Sequence, residues 1–221
     1  NNEITNTAQV KIGEQAQLQA HGDGTEQSSL VIDAENIGEL LGQVELDAGG
    51  ATAAAGVASR ADVDNTAVVD IADGAALKTP GELRLGTGAT IDVRLHSRGK
   101  TYGLASHTAG STTADVSVDH DIRVGSNAQL WGAKKILLGA GTDGTDASDI
   151  EVSTDTRLFN KSVLPGESVD AETTVKQHND INIGQGTSVT SAGDIYLTAT
   201  DGTVSTTAYG ISHNLYEGAA E

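Results

Sequence analysis

The stretch Ile181–Ala199, INIGQGTSVTSAGDIYLTA, reads as two short apolar alternations joined by glycine-containing turns. It is the last of four versions of one pattern. ITNTAQVKIGEQAQL from Ile4, VDNTAVVDIADGAAL from Val63, VSVDHDIRVGSNAQL from Val116 and VKQHNDINIGQGTSV from Val175 align without gaps. In each, an apolar residue stands eight places before a second: Ile4 and Ile12, Val63 and Ile71, Val116 and Val124, Val175 and Ile183. A small residue follows (Gly13, Ala72, Gly125, Gly184), and another apolar anchor comes six places after the second, at Leu18, Leu77, Leu130 and Val189. A repeat of this length governs the architecture, because one unit cannot bury its apolar face alone.

A companion motif accompanies each copy: LVIDA at Leu30, LRLGT at Leu83, ILLGA at Ile136 and IYLTA at Ile195. It begins twelve residues after the anchor in the last three copies and eighteen after it in the first, where HGDGTEQSS supplies the extra turn formers. The anchors themselves are spaced 59, 53 and 59 residues apart. The excess in the third interval is expected in the loop LPGES, marked by Pro165 and Gly166. Loops absorb insertions more readily than paired strands do.

Period-2 alternation in VKI, LVI, VEL, LRL, IRV, INI and IYL identifies half-buried strands. The one stretch with helical spacing is AENIGELLGQV, where Ile37, Leu40, Leu41 and Val44 could line a helix face, but Gly38 and Gly42 each weaken it by about 1 kcal/mol. The runs GGATAAAGVAS, GSTTADVSV and TVSTTAYG are expected to be further strands, with flexible linker as the alternative. Short strands separated by Gly, Asp, Asn and Ser predict an all-β parallel solenoid, one continuous domain over residues 1–221 with repeats at 4–62, 63–115, 116–174 and 175–221. With roughly 18 to 20 residues per turn, each repeat makes three turns, and the chain about twelve, rising about 55 to 60 Å.

Composition agrees with thin, stacked layers. Val, Leu, Ile and Phe make up 48 of 221 residues, and aromatic residues only 3%. Thirty-one acids against thirteen bases leave a net charge of -18, which removes the main source of affinity for nucleic acid and disfavours anionic lipid. Without Cys there is neither a disulfide frame nor a thiolate metal site. No apolar run approaches the ~20 residues that span a bilayer, so membrane insertion is not expected. NNEITNTAQV carries no visible signal peptide. The pattern is cut at both ends, so a segment of a longer protein is expected, its ends meeting further turns of the same chain or end-to-end copies.

The pairing of INIGQGTSVTSAGDIYLTA with DIRVGSNAQLWGAKKILLGA, preceded by acidic and Ala/Thr-rich strands, resembles the repeat region of large bacterial exoproteins of the filamentous-haemagglutinin type. More narrowly, it is similar to the leukotoxin-family filamentous adhesins. The likeness covers all four copies and is best from Val116 onward. It implies a right-handed parallel β-helix, secreted through an outer-membrane partner and displayed at the cell surface as a fibre for adhesion to glycans or for building a biofilm matrix. The secretion domain of that family is not recognisable in this chain.

Enzymes also exist on parallel β-helices, so a polysaccharide lyase or hydrolase is the competing reading. Its carboxylates and base would come from DVSVDHD (Asp115, Asp119, His120, Asp121) and KQHND (His178, Asp180). These recur at near-equivalent places in two repeats, as turn features do, and no catalytic residue is assigned. LGAGTDGTDASD resembles one turn of a calcium-binding nonapeptide repeat through Asp143, Asp146 and Asp149. A site of six to eight oxygens needs consecutive turns, which a single stretch does not supply, and a calcium-dependent surface module is the third reading. The six histidines, at 21, 96, 107, 120, 178 and 213, show no metal-ligand spacing, and no metal or cofactor is expected. Lys134 and Lys135 read as exposed edge charges, and Trp131 as a solvent-side plug between turns, with a sugar-stacking platform as the alternative. No nucleotide or nucleophile motif is present.

Overall fold

The computed structural model describes residues 2–22, 28–142 and 144–215. It is all-β, with no α-helix among the described residues. The strands are β1 Asn2–Ile12, β2 Gln17–Gln19, β3 Leu30–Gly49, β4 Thr52–Ile71, β5 Ala76–Thr79 and β6 Glu82–Val124. They continue with β7 Gln129–Gly132, β8 Lys135–Ala140, β9 Asp149–Ile183, β10 Ser188–Ser191, β11 Asp194–Ala199 and β12 Thr203–Leu215. Every pairing between these strands is parallel.

The register is that of the sequence repeat. Ile4 pairs with Val63, Val63 with Val116 and Val116 with Val175. Leu18, Leu77, Leu130 and Val189 form a second column, and Leu30, Leu83, Ile136 and Ile195 a third. Partners are therefore a whole repeat apart, not the 18 to 20 residues expected from short turns. This corrects the expected twelve levels to four, one per repeat, and the height between outer levels to about 14 Å at ~4.8 Å per strand. The reason lies in strand length. Alternation runs through the Ala, Thr and Gly stretches, so strands expected to be short extend to twenty residues in β3 and β4.

Each level comprises a first arm, a turn, a short strand and a second arm. The first arms are β1, β4 and the later halves of β6 and β9; the second arms are β3, the earlier half of β6, β8 with the start of β9, and β11 with β12. The short strands β2, β5, β7 and β10 form their own four-stranded sheet. The two stacks of arms face each other, and side chains cross between them. Thr101 and Thr108 hydroxyls are 2.6 Å apart, Ser97 Oγ donates to Ser111 O at 3.2 Å, and Thr156 Oγ1 donates to Asp170 O at 2.7 Å. β6 and β9 must therefore double back midway, in register with the break between Gly49 and Thr52.

Between the arms the core is graded. Near the short strands it is aliphatic, with Ile71, Leu77, Leu83, Leu85, Ile122, Leu130, Ile136 and Leu138 buried. A second cluster includes Ile91, Val93, Leu95, Val116 and Val118. Toward the reversal it becomes hydroxyl-lined, with Thr101, Thr108, Thr112, Thr154 and Thr156 fully buried. Buried hydroxyls are tolerated because they bond across the gap.

Three local expectations are also settled. AENIGELLGQV is strand, and its apolar residues divide by alternation: Ile37 and Leu41 face solvent while Leu40 and Val44 turn toward the opposite arm. The Ala- and Thr-rich runs lie in β4, β6 and β12 rather than in linkers. The extra residues of the third interval are not in LPGES, which keeps register at the reversal, with Ser106 paired to Pro165 and His107 to Gly166. They lie between Gly139, paired with Gly86, and Asp149, paired with Thr90. The insertion is thus the GTDGTD loop.

Candidate functional site

Alternation divides the acidic cluster of the third repeat. On β6, Asp115, Asp119 and Asp121 project from the outer face, whereas His120 turns inward and is fully buried. One level along, His178 stacks on Asp119, Asn179 on His120 and Asp180 on Asp121. The two sequence candidates DVSVDHD and KQHND are therefore brought together, but as two separate groups on opposite faces of one sheet.

On the outer face, ligand atoms of Asp121, His178 and Asp180 lie within 4.8 Å of one another. Arg123 forms an ion pair with Asp121, and Asn182 Nδ2 donates to Asp180 Oδ2 at 2.6 Å. Both carboxylates already have donors, and the cluster is a hydrogen-bonded surface ladder with no metal assigned to it.

On the inner face, His120 joins a chain of contacts that crosses from level to level, buried at His120 and Ser148 and open to solvent at Asp201. Asn179 Nδ2 donates to Asp201 Oδ1 at 2.6 Å, which turns its Oδ1 toward His120 Nδ1, 2.7 Å away. His120 Nδ1 must then carry a proton. Nε2 lies 3.4 Å from Ser148 Oγ, which also accepts from Ala89 N at 3.0 Å and contacts Gly141 O at 3.1 Å. Burial holds the imidazole below its usual pKa, against the opposing pull of Asn179, Asp119 and Asp121.

The order Ser, His, Asn resembles a nucleophilic relay, but the geometry anchors a loop. Ser148 is 3% exposed, and its Oγ is held by backbone groups on both sides. Sequence reasoning named His120 and missed Ser148, Asn179 and Asp201. The 59-residue offset would have placed Asn179 over His120; nothing local marks Ser148.

Asp146 and Asp149 of the calcium-like stretch are exposed, and Asp143 lies outside the described residues. The loop is closed on itself instead, with Thr142 Oγ1 donating to Asp146 O at 2.9 Å and accepting from Gly144 N at 2.9 Å.

A recess of about 720 Å³ lies on the outer face of the short-strand sheet. It is bordered by Lys78, Asn127, Gln129, Trp131, Ser188 and Thr190. Trp131 stacks between Lys78 and Thr190 in its column and is 38% exposed. Amides, hydroxyls and one lysine make this recess free of carboxylates, in a chain of net charge -18. An exposed indole among such groups can stack on a sugar ring while the amides bond its hydroxyls. Comparison of the chain with protein-family models, curated proteins and solved structures found no match.

Proposed function

We propose that this chain is a structural and adhesive segment of an extracellular bacterial fibre, a right-handed parallel solenoid of wide coils with no catalytic role. One observation carries the reading: each strand hydrogen-bonds in register to the equivalent strand of the next repeat, so backbone bonds and apolar columns run along one axis. A fibre needs such an arrangement because every added repeat reproduces the same interface. The adhesive part rests on the Trp131 recess, suited to an uncharged glycan. The lyase or hydrolase reading loses His120, which is enclosed between the arms, and keeps on the outer face only His178 beside the carboxylates of Asp121 and Asp180, which Arg123 and Asn182 already engage.

Mass per unit length of the native assembly tests the coil. With 22.5 kDa in four levels of ~4.8 Å, one strand of fibre carries about 1.2 kDa per Å. A value near a third of that would restore the short-turn coil and overturn the proposal. Binding of neutral oligosaccharides, followed by Trp131 fluorescence, tests adhesion; retention of binding by Trp131→Ala would remove the recess from it.

A further inference from the structure

The charges are not spread evenly over the levels. Cut at the reversals, the chain divides into residues 1–51, 52–104, 105–163 and 164–221. Among the described residues the first level holds seven acids and one base, and the last holds six acids and one base. The second level balances six acids with six bases, and the third holds seven described acids and five bases. Eleven of the thirteen cations thus sit in the two middle levels, where they reach across to neighbours. Arg84 pairs with Asp33 at 2.8 Å, Arg98 with Glu45 at 3.1 Å and Lys100 with Asp47 at 3.9 Å, all from the second level to the first. Lys135 pairs with Glu82 at 3.5 Å and Arg60 with Asp115 at 3.2 Å, between the second and third levels.

The outer sides of the first and last levels have no neighbour in this structure. Their apolar columns stand open there, with Ile195 at 45% and Leu197 at 54% exposure, whereas Leu83 and Leu85 in the same columns are fully buried. A parallel edge of this kind accepts another strand unless charge prevents it. Continuing the columns by one level would place the first level of a second copy on the last level of the first, acid against acid.

We propose that each open edge is built to receive a parallel coil carrying Lys or Arg on its outer faces, as the second level does, and to reject a second copy of this same segment. The proposal rests on the stacked-coil reading above. It makes the uneven charge a device for choosing neighbours: the edges remain competent for backbone pairing, and only a cation-bearing coil satisfies their carboxylates.

Charge reversal tests it. Glu3, Glu35 and Glu39 are exposed on the first level. Glu3 and Glu39 stack on Asp62 and Asp92, and Glu35 on Gly88, so none of the three is paired with a cation in its column. Glu3→Lys/Glu35→Lys/Glu39→Lys should therefore leave the levels intact while giving the first level four acids and four bases among the described residues, the even balance of the second level, and leaving the last level acidic. In sedimentation at about 0.05 M NaCl the unaltered chain is expected as a 22.5 kDa monomer, and the variant should associate at least about tenfold more tightly, weakening as salt rises. A monomeric triple variant, or an unaltered chain that associates equally well, overturns the charge assignment. An intrachain Thr66→Cys/Asp119→Cys disulfide, introduced into every variant, reports the stacking itself, since these residues are column partners. Its failure in the unaltered background would overturn the coil reading, whereas its retention in a monomeric triple variant refutes only the charge rule.

Discussion

Leu85 and Leu197 occupy one column, with Ile32 and Leu138 completing it, yet they are 0% and 54% exposed. Truncating each to alanine removes the same atoms from the same position in the repeat. For Leu85, full burial between levels gives about 2 to 3 kcal/mol of lost transfer energy, and the cavity adds to it because its walls are hydrogen-bonded strands that relax little. The expected cost of Leu85→Ala is therefore about 3 to 4 kcal/mol. For Leu197, roughly half the transfer energy applies and solvent fills the gap, so about 1 kcal/mol is expected. Urea unfolding followed by far-ultraviolet circular dichroism measures both, with the slope compared to confirm that the same surface is exposed. Equal costs would refute the reasoning, for they would mean that the position within the stack does not decide burial.

Gly74→Ala should cost about 1 to 2 kcal/mol although an added Cβ meets nothing closer than 3.4 Å, because the residue has φ 68°. The reciprocal change, Gln15→Gly at φ 54° in the equivalent turn of the first level, should stabilise by about 1 kcal/mol, and both are read from urea midpoints. His120 binds a proton less readily in the fold than in the unfolded chain, so its contribution is intact above the unfolded value near 6.5 and is lost as pH falls through its lower folded value. His120→Asn, which copies Asn179 one level along, should flatten the decline in urea midpoint between about pH 7 and 5; an unchanged pH profile would contradict this assignment. Deleting residues 141–146 leaves three residues between the positions of Gly139 and Asp149, the number that the second level uses between Gly86 and Thr90. Thermal melting should shift by only a few degrees, as shortening a surface loop changes closure entropy little; loss of the folded state would show that the loop is a structural element.

The columns of the fold were legible in the sequence before any coordinates. Ile4, Val63, Val116 and Val175 were aligned by pattern, and they are the residues that stack, because a one-residue slip would carry every apolar side chain to the wrong face. The left-handed turn residue was legible in part: Gly74, Asn127 and Gly186 occupy it in three copies, while Gln15 conceals it in the first. For the site, the sequence put Asp119, His120 and Asp121 at near-equivalent places to His178 and Asp180, and the structure stacks the two groups one level apart. Alternation within a strand then assigned His120 to the interior and its neighbours to the surface.

Sequence determined strand type, register and parallel stacking, because those follow from periodicity along the chain and from repetition between copies. Only the tertiary structure decided the number of residues in one level. Short breaks and long strands with small side chains look alike in one dimension: Thr, Ala, Ser and Gly alternate without an apolar signal, yet Thr101, Thr108 and Thr156 are buried by an opposing arm that supplies their hydrogen bonds. The same arm buries His120 against Ser148, and the same stacking leaves the two acidic levels at the outside. A side chain's worth here is set by what lies a whole repeat away, and no local pattern carries that distance.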